Sequence, residues 1–163
     1  MYLLDTNICI FAIKNKPKNV LEVIKEKSRK GIYISSLTIA ELEYGVANSN
    51  QVENNRIALL KFISIFKVLN FDDSDAIPYG KLKTDLKKKS KIIGPIDMLL
   101  AAQAISKDLI FVTNNIKEFE RIEGLKIEDW SKIKKYLSIK EEVRPWRYRA
   151  AWTRRPAVAD NSG

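Results

Sequence analysis

An α/β/α sandwich around a mostly parallel sheet of four or five strands is the fold this sequence predicts, and three observations carry it. Short apolar runs alternate with longer stretches whose apolar residues recur at three and four, the pattern of strands joined by crossover helices. The runs are continuous, as strands covered on both faces require. Each run ends in small polar or acidic residues that suit the mouth of a following helix.

The first strand is Met1-Tyr2-Leu3-Leu4, which delivers Asp5-Thr6-Asn7 to an amphipathic run from Ile8 to Ile13. Asn15-Lys16-Pro17 reads as a turn. The stretch Asn19 to Lys30 places Val20, Val23 and Ile24 at helical spacing until Gly31 stops it. Ile32-Tyr33-Ile34 is the second strand, and Ser35-Ser36 are cap candidates for a helix from Leu37 to Ala47. Asn54 to Phe66 is a further helix, and Val68-Leu69-Asn70-Phe71 is the third strand. The acidic Asp72-Asp73-Ser74-Asp75 precedes a helix from Ala76 to Lys89. Gly94-Pro95 starts another, which is apolar on nearly every side through Ile105 and is therefore expected to be buried. Leu109-Ile110-Phe111-Val112 is the fourth strand, tipped by Thr113-Asn114-Asn115, and Gly124-Leu125-Lys126-Ile127 is an edge strand.

A chain of 163 residues that is 45% hydrophobic can bury one ordinary core. We expect one domain over residues 1–137. The composition breaks near residue 140: all 21 Lys lie before it, whereas residues 141–163 hold five Arg, two of the three Trp and no Lys. Residues 138–163 are thus expected to be a vector-derived, out-of-frame or disordered segment outside the fold, the alternative being a basic aromatic arm that binds nucleic acid. A formal charge of +9 and a pI near 9.6 suit a polyanionic partner such as RNA. Residues 1–140 alone keep 24 Lys+Arg against 17 Asp+Glu. The basic balance does not depend on the tail.

No apolar run has the length of a membrane span and nothing resembles a signal peptide, so a cytoplasmic protein without membrane contact is expected. Cys9 stands alone in an apolar helical pattern, where packing is its expected role.

The chain has no histidine. That excludes an imidazole general base, the Ser-His-Asp triad, the Cys-His dyad and most zinc sites. Hydrolytic chemistry, if present, falls to carboxylates and a metal. In a parallel sheet the crevice beyond the carboxyl ends of the strands is where ligands bind, and Asp5 and the Thr113-Asn114-Asn115 tip are placed there. Asp97, in the first turn of a buried helix, needs a cap, a cation or a shifted pKa. Asp5 is equally a candidate helix cap. Glu41 and Glu43 stand about 200° apart on one helix, so only one can face the crevice. Glu41 is the inward one if Leu37, Thr38, Tyr44 and Gly45 mark the inner face. Converging carboxylates stay ionised together only with a cation, and hard oxygen ligands favour Mg²⁺ or Mn²⁺. Lys87-Lys88-Lys89-Ser90-Lys91 is either a solvated helix end or a contact to RNA phosphates.

Four segments together resemble a known family. Leu4-Asp5-Thr6-Asn7, Ala40-Glu41-Leu42, Gly94-Pro95-Ile96-Asp97 and Val112-Thr113-Asn114-Asn115 with Glu118-Phe119 occur in the order and spacing of PIN-domain ribonuclease toxins of the VapC family. Over residues 1–135 the chain is similar to the VapC branch that cleaves initiator tRNA in the anticodon stem-loop. That resemblance implies a Mg²⁺-dependent endoribonuclease, with Mn²⁺ as a possible substitute, held inactive by a VapB-type antitoxin and assembled as a homodimer. It implies Asp5 and Asp97 as principal metal ligands, Glu41 as a third acid, and Thr6, Asn7 and Thr113 as groups that position ligand or substrate. The chain departs from the family pattern at Asn115, where many members carry an Asp, so Glu118 is the candidate fourth carboxylate and Asn115 a positioning group. Two other readings remain at this stage: a non-catalytic RNA-binding regulator, and a PIN-type nuclease acting on another RNA or on DNA. A haloacid-dehalogenase-like phosphatase would need a second acid two residues after Asp5, where Asn7 stands.

Overall fold

A computed structural model describes residues 1–133. The expected domain limit at 137 and the atypical segment 138–163 lie outside the described residues. Five strands, β1 (Tyr2–Leu4), β2 (Ile32–Ser35), β3 (Lys67–Leu69), β4 (Ile110–Val112) and β5 (Lys126–Glu128), form one sheet in the order β3-β2-β1-β4-β5. Every neighbouring pair is parallel. The order reverses at β1, which is flanked by β2 and β4, and the crevice for ligands in such a sheet opens at that reversal.

The strands are short, and the three inner ones, β1, β2 and β4, are covered on both faces, while the edge strands β3 and β5 stay partly exposed. Tyr2, Leu4, Ile32, Ile34 and Val112 pack with the helices α1 (Thr6–Lys14), α2 (Lys18–Lys27), α3 (Ser36–Ala47) and α4 (Val52–Ile63). Leu3 and Phe111, the alternate residues, pack with α5 (Asp73–Lys88), α6 (Pro95–Ser106) and α7 (Ile116–Phe119) on the other side. This explains the unbroken apolar strands of the sequence. Cys9 is fully buried, and burial pushes its thiol well above the ordinary range, with the Asp5 charge adding to the effect. It is a packing residue.

Several boundaries differ from expectation, each for a local reason. The expected Ala76 start of the fifth helix moves back to Asp73, because Asp72 caps it: its carboxylate accepts from Ser74 N, and Asp75 reaches back to Asp72 N, each at 3.0 Å. β3 covers Lys67–Leu69, earlier than the expected Val68 to Phe71, since Phe71 N turns to Ser36 Oγ. The helix expected to reach Phe66 ends at Ile63, and Ser64 to Phe66 form a turn closed on Leu60, Phe62 and Ile63 carbonyls. α5 and α6 run antiparallel. Ser74 meets Ser106, and Lys107 meets Asp72, at one end of the pair. The opposite end is the short turn from Lys89 to Gly94.

Candidate active site

Asp5 follows directly from β1 and occupies the N-cap position of α1 in extended backbone, but its side chain makes no capping hydrogen bond. Its backbone is held from two sides: Asp5 N donates to Val112 O at 2.9 Å and its carbonyl accepts from Cys9 N at 3.1 Å. The residue is only 4% exposed, and its carboxylate accepts at Oδ2 from Thr113 Oγ1 at 2.8 Å. That hydroxyl also accepts from Asn115 N at 3.1 Å. The side chain makes no standard cap, although the Thr6 N–H at the mouth of α1 also steadies its charge, and Asp5 is tied across the β1–β4 crevice to the tip of β4.

Asp97 stands in the first turn of α6, whose start is set by Pro95 at the first helical position. Gly94, the N-cap, makes no side-chain cap and has an ordinary φ of −54°. A Cβ built on Gly94 would lie 2.6 Å from Asp97 Oδ2. The carboxylate thus folds back over the helix mouth into space that any other residue at 94 would fill. The backbone at 94 does not itself require glycine, and the room left by the missing Cβ is taken by the Asp97 carboxylate.

Glu41 and Glu118 complete the group, each half-buried. Glu41 Oε2 accepts from the Thr6 hydroxyl, which ties α3 to α1. Glu118 Oε2 accepts from Asn115 Nδ2 at the start of α7. Glu41 sits on the flank of the buried stripe of α3, which is Thr38, Leu42 and Val46. The expectation that Tyr44 shares the inner face is corrected: Tyr44 is 73% exposed, because at 100° per residue it lies opposite Leu42. Glu43 points away and pairs with Arg56 at 3.1 Å.

The four carboxylates repel one another. Burial raises Asp5 from 3.8 to about 6 against the Thr113 hydrogen bond, and the charges of Asp97 and Glu41 add to the rise. Burial likewise raises Asp97 to about 6, with Glu118 and Glu41 contributing. None of the ion pairs among the described residues reaches any of the four. A bound cation could supply the countercharge that no side chain among the described residues supplies.

The donor set suits a hard divalent ion. Among the described residues no three acids close into a ready cage, and Mg²⁺ does not need one, since it binds one or two carboxylates and retains several waters. Asp5 and Asp97, the two acids whose carboxyls are pushed up, are the candidates to hold such an ion, and Glu41 and Glu118 are the acids whose charges act on them. Asn7 is exposed on the first turn of α1 and makes no hydrogen bond to the cluster.

Residues 2–125 match the PIN domain family. The chain is 44% identical over 130 residues to the tRNA(fMet)-specific endonuclease VapC of Shigella flexneri, covering 80% of this chain and 98% of that protein. It belongs to the PIN-domain family, in its VapC branch. Solved structures agree. VapBC2 from Rickettsia felis bound to a DNA fragment from their promoter superposes with a TM-score of 0.76 at 41% identity, over 79% of this chain and 98% of that one. DNA-bound VapBC from Salmonella typhimurium gives 0.75 at 43%, over 79% and 97%. Membership makes this chain a nuclease of the toxin–antitoxin type.

Within this VapC scaffold the four acids expected from the sequence come to one crevice, from β1, α3, α6 and α7. Two functional details escaped the sequence. Gly94 makes room for a carboxylate, and the available signal was that Pro95 already sets the helix start and leaves a glycine there without a backbone task. Asn115 acts on Glu118 through its amide, which only the helical spacing of the two residues hints at.

Proposed function

We propose that this chain is a metal-dependent endoribonuclease toxin that hydrolyses RNA phosphodiesters, with Mg²⁺ as cofactor and Mn²⁺ as a substitute. Its substrate is initiator tRNA, cut in the anticodon stem-loop, a reading supported by 44% identity to the tRNA(fMet)-specific enzyme. The nuclease domain comprises residues 1–137. The observation that carries the proposal is the convergence of Asp5, Glu41, Asp97 and Glu118 with two carboxyls raised to about 6 and no neutralising side chain.

Mg²⁺ bound there would lower the pKa of a water and offset charge on the scissile phosphoryl oxygens. The chain's own groups orient the rest. Thr113 fixes Asp5 through Oδ2, and Gly94 lets Asp97 lie over the helix mouth opposite it. Thr6 holds Glu41 through Oε2, which leaves Oε1 to take the proton of the attacking water. Asn115 orients Glu118 toward Asp97. Thr6, Asn7, Thr113 and Asn115 position ligand or substrate.

The uncompensated acids also account for the inhibited state. A VapB-type antitoxin that places a basic side chain among them would supply the missing charge, and the related VapBC structures are complexes of that kind of pair. A homodimer is part of the same reading. The test is cleavage of purified tRNA with Mg²⁺ and with EDTA, followed by analysis of the product ends. Water as nucleophile predicts 5′-phosphate and 3′-hydroxyl ends and no cleavage in EDTA. A 2′,3′-cyclic phosphate, or RNA binding without cleavage under every metal condition, overturns the proposal.

A further inference from the structure

The acid crevice alone is a poor place for a polyanion to dock. Its carboxylates repel every phosphate of a nucleic acid, and a metal relieves that repulsion only at the scissile bond. Phosphates on either side need cations, and the structure supplies an unneutralised set. Lys81, Lys87, Lys88, Lys89 and Lys91 are all exposed, and none has a carboxylate partner among the described residues. By contrast Lys27, Arg56, Lys107, Lys126 and Lys132 are each ion-paired. The C-terminal dipole of α5 favours Lys87 and Lys88. It does nothing for Lys81 in the helix body or for Lys91 beyond the turn.

Two chain connections bring these cations to the acids. The turn from α5 to α6 is tied down by Ser90 N to Lys87 O at 3.1 Å and Lys91 N to Leu86 O at 2.9 Å, and Ile93 within it is buried. Lys91 is thereby fixed at the same end of the α5–α6 pair as Asp97. On the other side, Arg121 follows Glu118 by three residues. It lines a groove of about 330 Å³ between α5 and residues 121–124, together with Lys81 and Lys89. The groove floor is apolar, with Leu82, Leu86 and Ile122, and so suits a ribose or base face. Asp85 and Glu123 also reach the groove, leaving its rim with three cations against two anions. The adjoining Lys87, Lys88 and Lys91 tip the surface strongly positive.

We propose that the C-terminal half of α5, its turn into α6 and Arg121 form the surface that carries the RNA phosphate backbone up to the acid crevice. The proposal rests on the endoribonuclease reading for its choice of RNA. Each phosphate contact should appear in the salt dependence of binding, by about one unit of log–log slope per cation removed.

The test compares the full chain with the triple variant Lys87→Ala/Lys88→Ala/Lys91→Ala and the double variant Lys81→Ala/Arg121→Ala. The probe is an RNA stem-loop bound in EDTA between about 50 and 200 mM salt. The triple variant is expected to lose about 10- to 100-fold in affinity at the lower salt and about two to three units of slope, with an unchanged melting temperature. With metal present its KM should rise while kcat holds, and Lys→Arg at the three positions should restore binding. Lys126→Ala, which removes a paired lysine, should change nothing. Unchanged affinity and slope in both multiple variants overturns the proposal, as does a loss of kcat alone or a loss of binding to an acidic protein segment but not to RNA. If wild type binds with the expected slope yet cleaves nothing, the surface stands and the nuclease reading falls. If wild type cleaves and the variants match it, only the surface falls.

Discussion

Two groups of acids in this molecule have opposite fates. At the start of α5, Asp72 and Asp75 form a reciprocal cap, and Lys107 reaches them at 2.8 and 3.1 Å. Gln103 Nε2 donates to Asp75 at 3.2 Å. The Lys107 hydrogen bond holds Asp72 down at about 2. In the crevice, Asp5 and Asp97 are pushed the other way, up to about 6. Burial is the largest cause of the rise at Asp5 and Asp97, and the exposed Asp72 escapes it; burial does not by itself leave an acid unpaired, since the fully buried Asp75 still meets Lys107 at 3.1 Å. The further difference is whether the protein itself supplies the countercharge. Where it does, acids build a helix end; where it withholds it, they are left for a ligand from outside.

The largest effect that would break this contrast is catalytic. Asp5→Asn is expected to slow RNA cleavage on the order of 10³-fold, while Asp72→Asn leaves the rate unchanged, as read by single-turnover assays. Equal losses in the two variants would erase the distinction.

Next comes the pH dependence of stability without metal. Asp5 binds its proton more tightly when folded, so its contribution is fully favourable below about 4 and is lost as pH rises through about 6. Asp5→Asn should then stabilise the metal-free protein at pH 7 by up to about 3 kcal/mol. Asp72, held low, does the reverse: its contribution is present above about 4 and is lost as pH falls through about 2. Urea denaturation in EDTA across this range reads both limbs. A wild-type curve that is flat between pH 4 and 7, with no gain in Asp5→Asn, contradicts the picture of an acid held up by burial and by the charges of Asp97 and Glu41.

The smallest effect is steric. Gly94→Ala should cost about tenfold in cleavage and weaken Mn²⁺ binding measured by paramagnetic resonance, with the melting temperature nearly unchanged, because only the flexible end of Asp97 has to move. Gly80→Ala is the control. Its Cβ would meet nothing within 4 Å in the middle of α5, so it should stabilise by about 0.5–1 kcal/mol without touching activity. Wild-type metal affinity in Gly94→Ala would remove Gly94 from the site.

Much of the sheet was legible because inner strands covered on both faces must be apolar throughout, and Asp5 and Asp97 stood out because one ends such a run and the other sits at the mouth of an apolar helix. Glu41 was readable from helix geometry, but Tyr44 was not: its exposure depends on where α3 packs, which the local pattern of that helix leaves open. The Asp72-Asp73-Ser74-Asp75 segment looked like an acidic connector because a reciprocal cap is a matter of side-chain hydrogen bonds rather than of hydrophobic period. Likewise, nothing local announces that Thr113 will bond a carboxylate 108 positions earlier in the chain. Contacts of that kind exist only once β1 and β4 are paired.

Asn115 gives one hydrogen through its backbone to Thr113 and another through its side-chain amide to Glu118. An aspartate in its place would keep the first and turn the second into repulsion, since only the amide has hydrogens to give. Positions 115 and 118 therefore work as a couple in this chain: exchanging the amide for an acid removes the hydrogen that holds Glu118 and sets a second charge beside it.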